Sequence, residues 1–414
     1  MEKNWLIADL QIHSKYARAT SKNISIENLE KYAKIKGINL LGVGDFQHPL
    51  RRKEIDEKLT ENEHGILYTS SGFPFLWQTE VSLMYRQDGK SRAIHHLIFA
   101  PNKEVANQIT EFLASKGRLD YDGRPIFGMT SPDLVESLKK IDDKIEIIPA
   151  HCMTPWFGLF GSKSGFDSLK DCFQEQTKKI YAIESGMSAD PEMLWSLNEK
   201  VNIVSFSDAH SFWPWRLGRE STIFEVDKII YDEKKLSYKE IMNSIRTGDG
   251  LIATIETPPE YGKYHWDGHR LCNFSCSPEK TKELNGVCPV CGKPLIIGVD
   301  YRVKQLEDQP RGFKPASAKP YLKLLPLHEL IALAYSTKME SKKSWEVYNN
   351  LIEKFGTEFE ILLNVKKEAL LSKKIENKLI ELILKNREAK IKIKPGYDGE
   401  YGVAQFEEDQ KTLV

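Results

Sequence analysis

Short apolar segments recur along residues 1–258, and most of them end in a histidine or a carboxylate. Residues 5–12, 38–44, 75–84, 93–100, 145–150, 180–185 and 201–207 read as buried strands. Helix-patterned stretches lie between them. In 25–36, Ser25 is a candidate N-cap and Gly37 a stop, and 102–116 is a second such stretch. Repeated strand-then-helix segments predict a parallel sheet or barrel. In such folds function collects in the loops at the C-terminal ends of the strands.

The chain has 414 residues, 41% apolar and 29% charged. That is enough for two or three domains and a sizeable core. No apolar stretch approaches the roughly 20 residues of a spanning helix, and the composition is not that of a disordered chain. Met1–Trp5 runs into a strand with no signal-peptide core, so a cytoplasmic protein is expected. Net charge is zero but uneven: residues 301–394 hold 20 Lys/Arg against 12 Asp/Glu. This imbalance suits a part that holds a polyanion, although lysines also serve simply to solvate helices.

Four of the six cysteines, Cys272, Cys276, Cys288 and Cys291, fall within twenty positions. In a cytosolic chain this predicts a metal site rather than disulfides. Cys288-Pro289-Val290-Cys291-Gly292 is a zinc knuckle, its glycine allowing the tight turn. Its partner pair is His269 with Cys272, where Asn273 takes the glycine's place, or alternatively Cys272 with Cys276. Four protein ligands leave no open position, so this zinc is expected to be structural. The predicted organisation is a barrel over 1–258, a zinc-binding module over 259–300, a basic helical region over 301–394 and a turn-rich tail over 395–414.

Asp9, Gln11 and His13 alternate along one strand and are expected to share a face. Asp45 and His48, Glu80, His95-His96, His151, and Asp208 with His210 follow at later strand ends. A lone histidine at a strand end is usually a satisfied polar group. A set of them with carboxylates is the ligand chemistry of zinc, manganese or iron. One carboxylate such as Glu80 can bridge two ions, and an ion pair can activate water for phosphoryl displacement. A phosphoester hydrolase follows.

The motifs Asp9-Leu10-Gln11-Ile12-His13-Ser14, Gly44-Asp45-Phe46-Gln47-His48, Thr79-Glu80-Val81-Ser82, His95-His96-Leu97-Ile98, Pro149-Ala150-His151 and Ser207-Asp208-Ala209-His210 resemble those of the PHP (polymerase and histidinol phosphatase) superfamily. The longer blocks His13–Ser21, Thr154–Asp167 and Gly262–His269 are similar to the endonuclease Q family, and the likeness continues to Pro395–Gly399. The resemblance implies an α/β fold with a distorted (βα)7 TIM-like PHP barrel holding up to three metal ions. It implies a DNA repair endonuclease that cuts 5′ to uracil, hypoxanthine, xanthine or an abasic site. By motif, His13, Glu80 and Asp208 would share a first metal and carry the catalysis. Glu80, His96 and His151 would hold a second, and His48 and His210 with Asp45 a third. His96 is preferred to His95 because the motif places the ligand immediately before Leu97-Ile98. Gln11 stands where the superfamily has histidine, and its oxygen is a weaker zinc ligand. The ions implied are two or three catalytic zinc, manganese or magnesium ions beside one structural zinc.

Trp156, Phe157, Phe160, Lys163, Ser164 and Phe166 follow His151, while Phe212, Trp213, Trp215 and Arg216 follow His210. Aromatics beside cations suit stacking on a displaced base and holding its phosphates. The same aromatics also suit packing beneath the loops. Lys314, Lys319, Lys373, Lys374 and Lys378 are candidates for phosphate contacts without sequence preference. The expected partner is double- or single-stranded damaged DNA, with a sliding clamp a further candidate, no membrane, and a monomeric enzyme. The alternatives are a PHP exonuclease or phosphatase, or a DNA-binding scaffold silenced by Gln11.

Overall fold

The strand Lys3–Asp9 pairs antiparallel with Ser221–Asp227 on one side and parallel with Leu40–Gly42 on the other. The computed structural model describes residues 3–405, so 406–414 of the expected tail lie outside the described residues, as do Met1 and Glu2. The sheet built on this strand has eight members. In order they are Tyr321–Lys323, Leu251–Glu256, Ser221–Asp227, Lys3–Asp9, Leu40–Gly42, Pro74–Leu76, Ile66–Tyr68 and Thr60–Glu61. A four-stranded sheet runs Ile126–Phe127, Gln78–Gln87, Lys90–Phe99, Glu146–Pro149. Ala182–Glu184 and Asn202–Val204 form a parallel pair.

The fold is mixed α/β, and it differs from a single closed barrel. Among the described residues no sheet closes on itself. Several strands are only three or four residues long, so the backbone ladder runs out and side chains bridge the seams. Ser205 N donates to Thr222 Oγ1 at 3.0 Å, and Ser207 N to Asp9 Oδ1 at 3.0 Å. Asp9 is thereby spent on holding the 207–218 segment, since it also accepts from Gly218 N at 2.8 Å, and it does not join Gln11 and His13. The expected strand 75–84 is two strands in two sheets. Buried Trp77 marks the switch and packs edge-on against Phe46, with ring centroids 5.9 Å apart.

Strand alternation sorts the core into two layers. Leu6, Ala8, Leu97, Phe99, Ile148, Ala182, Val204 and Phe224, drawn from all three sheets, gather in one cluster. The intervening Leu41, Val81, Ile94, Ile98, Ile147 and Ile223 pack outward against helices such as Ile26–Lys36 and Ser131–Ile141. The first of these helices starts and stops as expected. Ser25 accepts from Asn28 N, and Gly37 takes a left-handed φ of 99°.

Beyond Pro326 the chain is helical: Leu327–Tyr335, Lys342–Phe355, Glu358–Leu363, Lys367–Ser372 and Asn377–Arg387. Thr357 caps the third of these through Glu360 N. These helices share their own apolar cluster, which includes Leu330, Tyr348, Leu362 and Ile383. A buried ion pair, Lys36 Nζ to Glu358 Oε1 at 2.6 Å, ties them to the helix Ile26–Lys36. A small cluster of Cys276, Cys288 and Leu295 lies under the cysteine-rich segment. No helix among the described residues is long and apolar enough to cross a membrane.

Candidate metal centre

Two groups of ligand-type side chains form where the inner strands end. His13, Asp208 and His210 make one, and Glu80, His95 and His151 the other; within each, the ligand atoms lie within 4.8 Å of one another. Glu80 joins them. Its Oε2 is 3.1 Å from His13 Nε2, and its Oε1 is 2.6 Å from His95 Nδ1 and 3.6 Å from His151 Nε2. Asp208 Oδ1 lies 3.2 Å from His13 Nε2.

The backbone is shaped for this convergence. Asp45, His151 and Asp208 have positive φ, at 55°, 32° and 48°. Such conformations are costly for non-glycine residues and concentrate at functional sites. Glu184 helps hold one of them by accepting from His151 N.

His95, and not the expected His96, joins Glu80 and His151. Ser82 pairs with His95 across the ladder, so His95 shares the inner face with Glu80, while His96 pairs with Val81 on the outer face. His96 Nε2 instead contacts Ser131 Oγ at 2.9 Å, and its ring packs on Phe173 at 5.5 Å. The third set does not assemble. His48 stacks on Tyr16 at 4.7 Å and belongs to no ligand group among the described residues. Asp45 stands behind His13: its Oδ1 is 2.9 Å from His13 Nδ1, and its Oδ2 accepts from Ser14 N at 2.6 Å. Orienting a ligand histidine through its second nitrogen is what an outer-shell carboxylate does.

The charges suit a divalent ion. Burial alone would raise Glu80, but His95, Arg124, His13 and His151 outweigh it and hold the carboxyl well below its ordinary range. Burial likewise opposes ionisation of Asp208, yet His210 and His13 keep it low. Burial brings His95 down to about 3, which leaves the neutral imidazole a metal needs. Gln11 donates from Nε2 to Glu80 Oε2 at 2.9 Å, while its buried Oε1 has no hydrogen-bond partner. An orphaned oxygen beside imidazoles and carboxylates fits a cation, so this donor set suits a divalent metal.

The second expected site also assembles. His269, Cys272, Cys288 and Cys291 place their ligand atoms within 4.8 Å of one another. Asn273 and Gly292, the residues after the two knuckles, are left-handed at φ 48° and 71°. Cys276, the alternative ligand, is excluded from this group: it is buried and contacts Thr281 Oγ1 at 3.2 Å. Two cysteines, a third and a histidine at this spacing fit zinc.

A cavity of about 650 Å³ opens beside the first site. His95, His151, Asp208 and His210 line it together with Trp156, Phe157 and Arg216. Trp156 is 39% exposed, and Phe157 stacks on His95 at 4.4 Å. Other expected base-contacting residues are elsewhere. Phe160 and Phe166 are core, because the loop folds back under itself. Ser164 is used to brace that loop, bonding Phe157 N and Ala93 O, and Lys163 is exposed. Trp213 packs against Trp215 and Trp345 at 5.5 and 5.6 Å. The sequence reading missed Arg124, whose Nη1 is 3.5 Å from Glu80 Oε1. It also missed Arg219, Lys263, Tyr264 and Tyr401, all on the cavity wall. Lys263 and Tyr264 lie inside a block already singled out; Arg124 carries no local signal.

Over almost its whole length the chain is similar to two solved structures. One is the lesion-specific endonuclease PfuEndoQ from Pyrococcus furiosus, at 30% identity, 99% coverage of this chain, 98% of that one, and a TM-score of 0.85. The other is endonuclease Q in complex with a 27-mer duplex substrate carrying an abasic lesion at the active site, at 30% identity, 98% coverage of each chain and a TM-score of 0.86. Protein MJ0043 of Methanocaldococcus jannaschii is 37% identical over 296 residues, 70% of this chain; the match spans 35% of that longer protein. Residues 326–390 match the family described as the MJ0043 C-terminal domain.

Proposed function

Because this chain belongs to the endonuclease Q family, we propose that it is a metal-dependent DNA repair endonuclease that hydrolyses the phosphodiester 5′ to a deaminated base or an abasic site. The observation that carries the reading is the pair of ligand groups joined through buried Glu80, with His95, His151, Asp208 and His210 on the wall of a cavity that also holds exposed Trp156. The related endonuclease Q with an abasic duplex at its active site supports DNA as the substrate.

His13, Asp208 and His210, and Glu80, His95 and His151, are the residues that would hold two divalent ions. Those ions would supply activation of water and stabilisation of charge on the phosphate oxygens. Glu80 and Asp208 bring the negative charge that retains them. Asp45 fixes the His13 ring from behind. Arg124 places a positive charge beside Glu80, where the scissile phosphate would lie. Trp156 and Phe157 offer faces for an extruded base, whose displacement exposes the strand to the centre. The four-residue His/Cys site is read as a structural zinc. The organisation proposed is a catalytic body over 1–258, a zinc module over 259–300 and a basic region over 301–394 that contacts phosphates.

The test is cleavage of end-labelled duplexes bearing one uracil, hypoxanthine, xanthine, abasic site or no lesion, with zinc, manganese or magnesium supplied. A cut immediately 5′ to the lesion, abolished in Asp208→Asn, is expected. Trimming from the ends alone, or no cleavage with any metal, would overturn the reading.

A further inference from the structure

The cavity beside the ligand groups has a wall that the proposed chemistry does not use. Arg216, Arg219 and Lys263 line it around Tyr401. The Arg216 guanidinium lies 5.0 Å from the Tyr401 ring centroid, and the Lys263 ammonium 4.6 Å. Arg219 is 9% exposed. Its Nε and Nη2 both donate to the Ser207 carbonyl, at 3.2 and 3.1 Å, which fixes the guanidinium one residue from Asp208. Its Nη1 makes no bond of that kind, and the Tyr401 hydroxyl is the side chain that Arg219 meets in the cavity. None of the three cations forms an ion pair within 4.0 Å among the described residues.

The positive potential here is concentrated. Burial pushes the Tyr401 hydroxyl up, yet Arg219, then Arg216 and Lys263, outweigh it and bring it down to about 8. Cations gathered in a cavity without a carboxylate to pair them suit an anionic ligand. Three cations gathered around one hydroxyl, two of them guanidinium groups, match charged phosphate oxygens better than the single carbonyl of a base.

We propose that Arg216, Arg219 and Lys263 hold a backbone phosphate of the cleaved strand adjacent to the scissile one, with the Tyr401 hydroxyl beside it. The inference rests on the endonuclease reading and adds a second anchor point to it. One phosphate lies at the ligand groups and its neighbour on the cationic wall. The nucleoside near them faces Trp156 and Phe157. Two fixed phosphates would define which linkage is cut.

The experiment uses lesion duplexes with a single uncharged methylphosphonate at each linkage of the cleaved strand in turn. Cleavage, and binding by fluorescence anisotropy without added metal, are measured for the wild type and for Arg216→Gln, Lys263→Gln and Arg219→Lys. One linkage next to the cut is expected to stand out, costing the wild type about tenfold in kcat/KM when neutralised. Each variant should lose a similar factor on the all-phosphate duplex and then lose little more at that linkage. Losses that simply add at every linkage would overturn the contact. Arg216 and Lys263 are half-buried, so their variants report even if the Arg219 change disturbs folding. If the wild type cuts nothing, the endonuclease reading fails, while the same cycle read by anisotropy still decides whether the wall holds a phosphate.

Discussion

On the strand Lys90–Phe99, His95 shares the inner face with Leu97, and His96 shares the outer face with Ile94 and Ile98. The two imidazoles therefore have unlike environments. His95 meets Glu80 and His151, whereas His96 meets Ser131 and Phe173. His95→Asn is expected to lower metal occupancy and cleavage by more than the roughly 10–100-fold that loss of an outer-shell partner costs. His96→Asn is expected to keep its metal and lose about 1–3 kcal/mol of stability, since a buried hydrogen-bonding group is replaced. Metal analysis and urea unfolding of the two variants check this, and equal metal loss in both would contradict it. Asp45, His151 and Asp208 add a signal invisible in one dimension, because a left-handed backbone at a non-glycine residue is known only from coordinates.

Among the small elements, the segment around the hairpin of Asp267–His269 with Phe274–Cys276 has little core of its own. Leu271 and Val290, at the knuckle tips, are 83% and 66% exposed. Its order is expected to depend on a metal ion bound by the proposed ligands His269, Cys272, Cys288 and Cys291. Without an ion, burial and the neighbouring thiols of Cys291 and Cys288 push Cys272 up to about 11, which keeps it a neutral thiol until a metal displaces its proton. Burial raises Cys152 well above its usual value and Cys172 to about 12, so both are unreactive thiols in the native state. Chelation followed by alkylation and mass analysis is therefore expected to modify Cys272, Cys288 and Cys291, and to spare Cys152 and Cys172 until denaturant is added. Modification of the knuckle cysteines at the same rate before and after chelation would show that no metal protects them.

Across the whole molecule, the C-terminal helices meet the N-terminal part of the chain through buried polar and aromatic groups. Lys36 reaches Glu358 and the carbonyl of Pro214, at 2.6 and 2.8 Å, and Tyr348 donates to Glu358 at 2.9 Å. His328 is enclosed by Trp215, Trp345 and Tyr348, with neither ring nitrogen hydrogen-bonded. Burial first, then the charge of Lys36, brings His328 down to about 3 from its ordinary 6.5. Unfolding releases it to take a proton, so below about pH 6.5 the unfolded chain binds more protons and stability falls with pH. One such group contributes a slope of up to about 1.4 kcal/mol per pH unit. His328→Phe is expected to flatten the loss between pH 6.5 and 4.5 in denaturant titrations; an unchanged slope would remove His328 from that role. His95 and His96 shift in the same direction, so the difference between the two proteins is the quantity to read.

What was legible in the sequence is local chemistry. Ser25 and Gly37 bound their helix because caps act within a turn. The pair His269 and Cys272 meets Cys288 and Cys291 because knuckle spacing and a left-handed Asn273 are short-range properties. His13, Glu80, His151, Asp208 and His210 were identifiable as ligand types at strand ends. Only the tertiary structure decided that the strand breaks at Trp77, that Phe160 and Phe166 are core, and that His48 stands apart from the ligand groups. It alone brought Arg219, Lys263 and Tyr401 to one wall from distant parts of the chain. Residue type and near neighbours determine what a side chain can bind. The direction in which it points depends on the sheet register and packing contacts of residues far away in sequence.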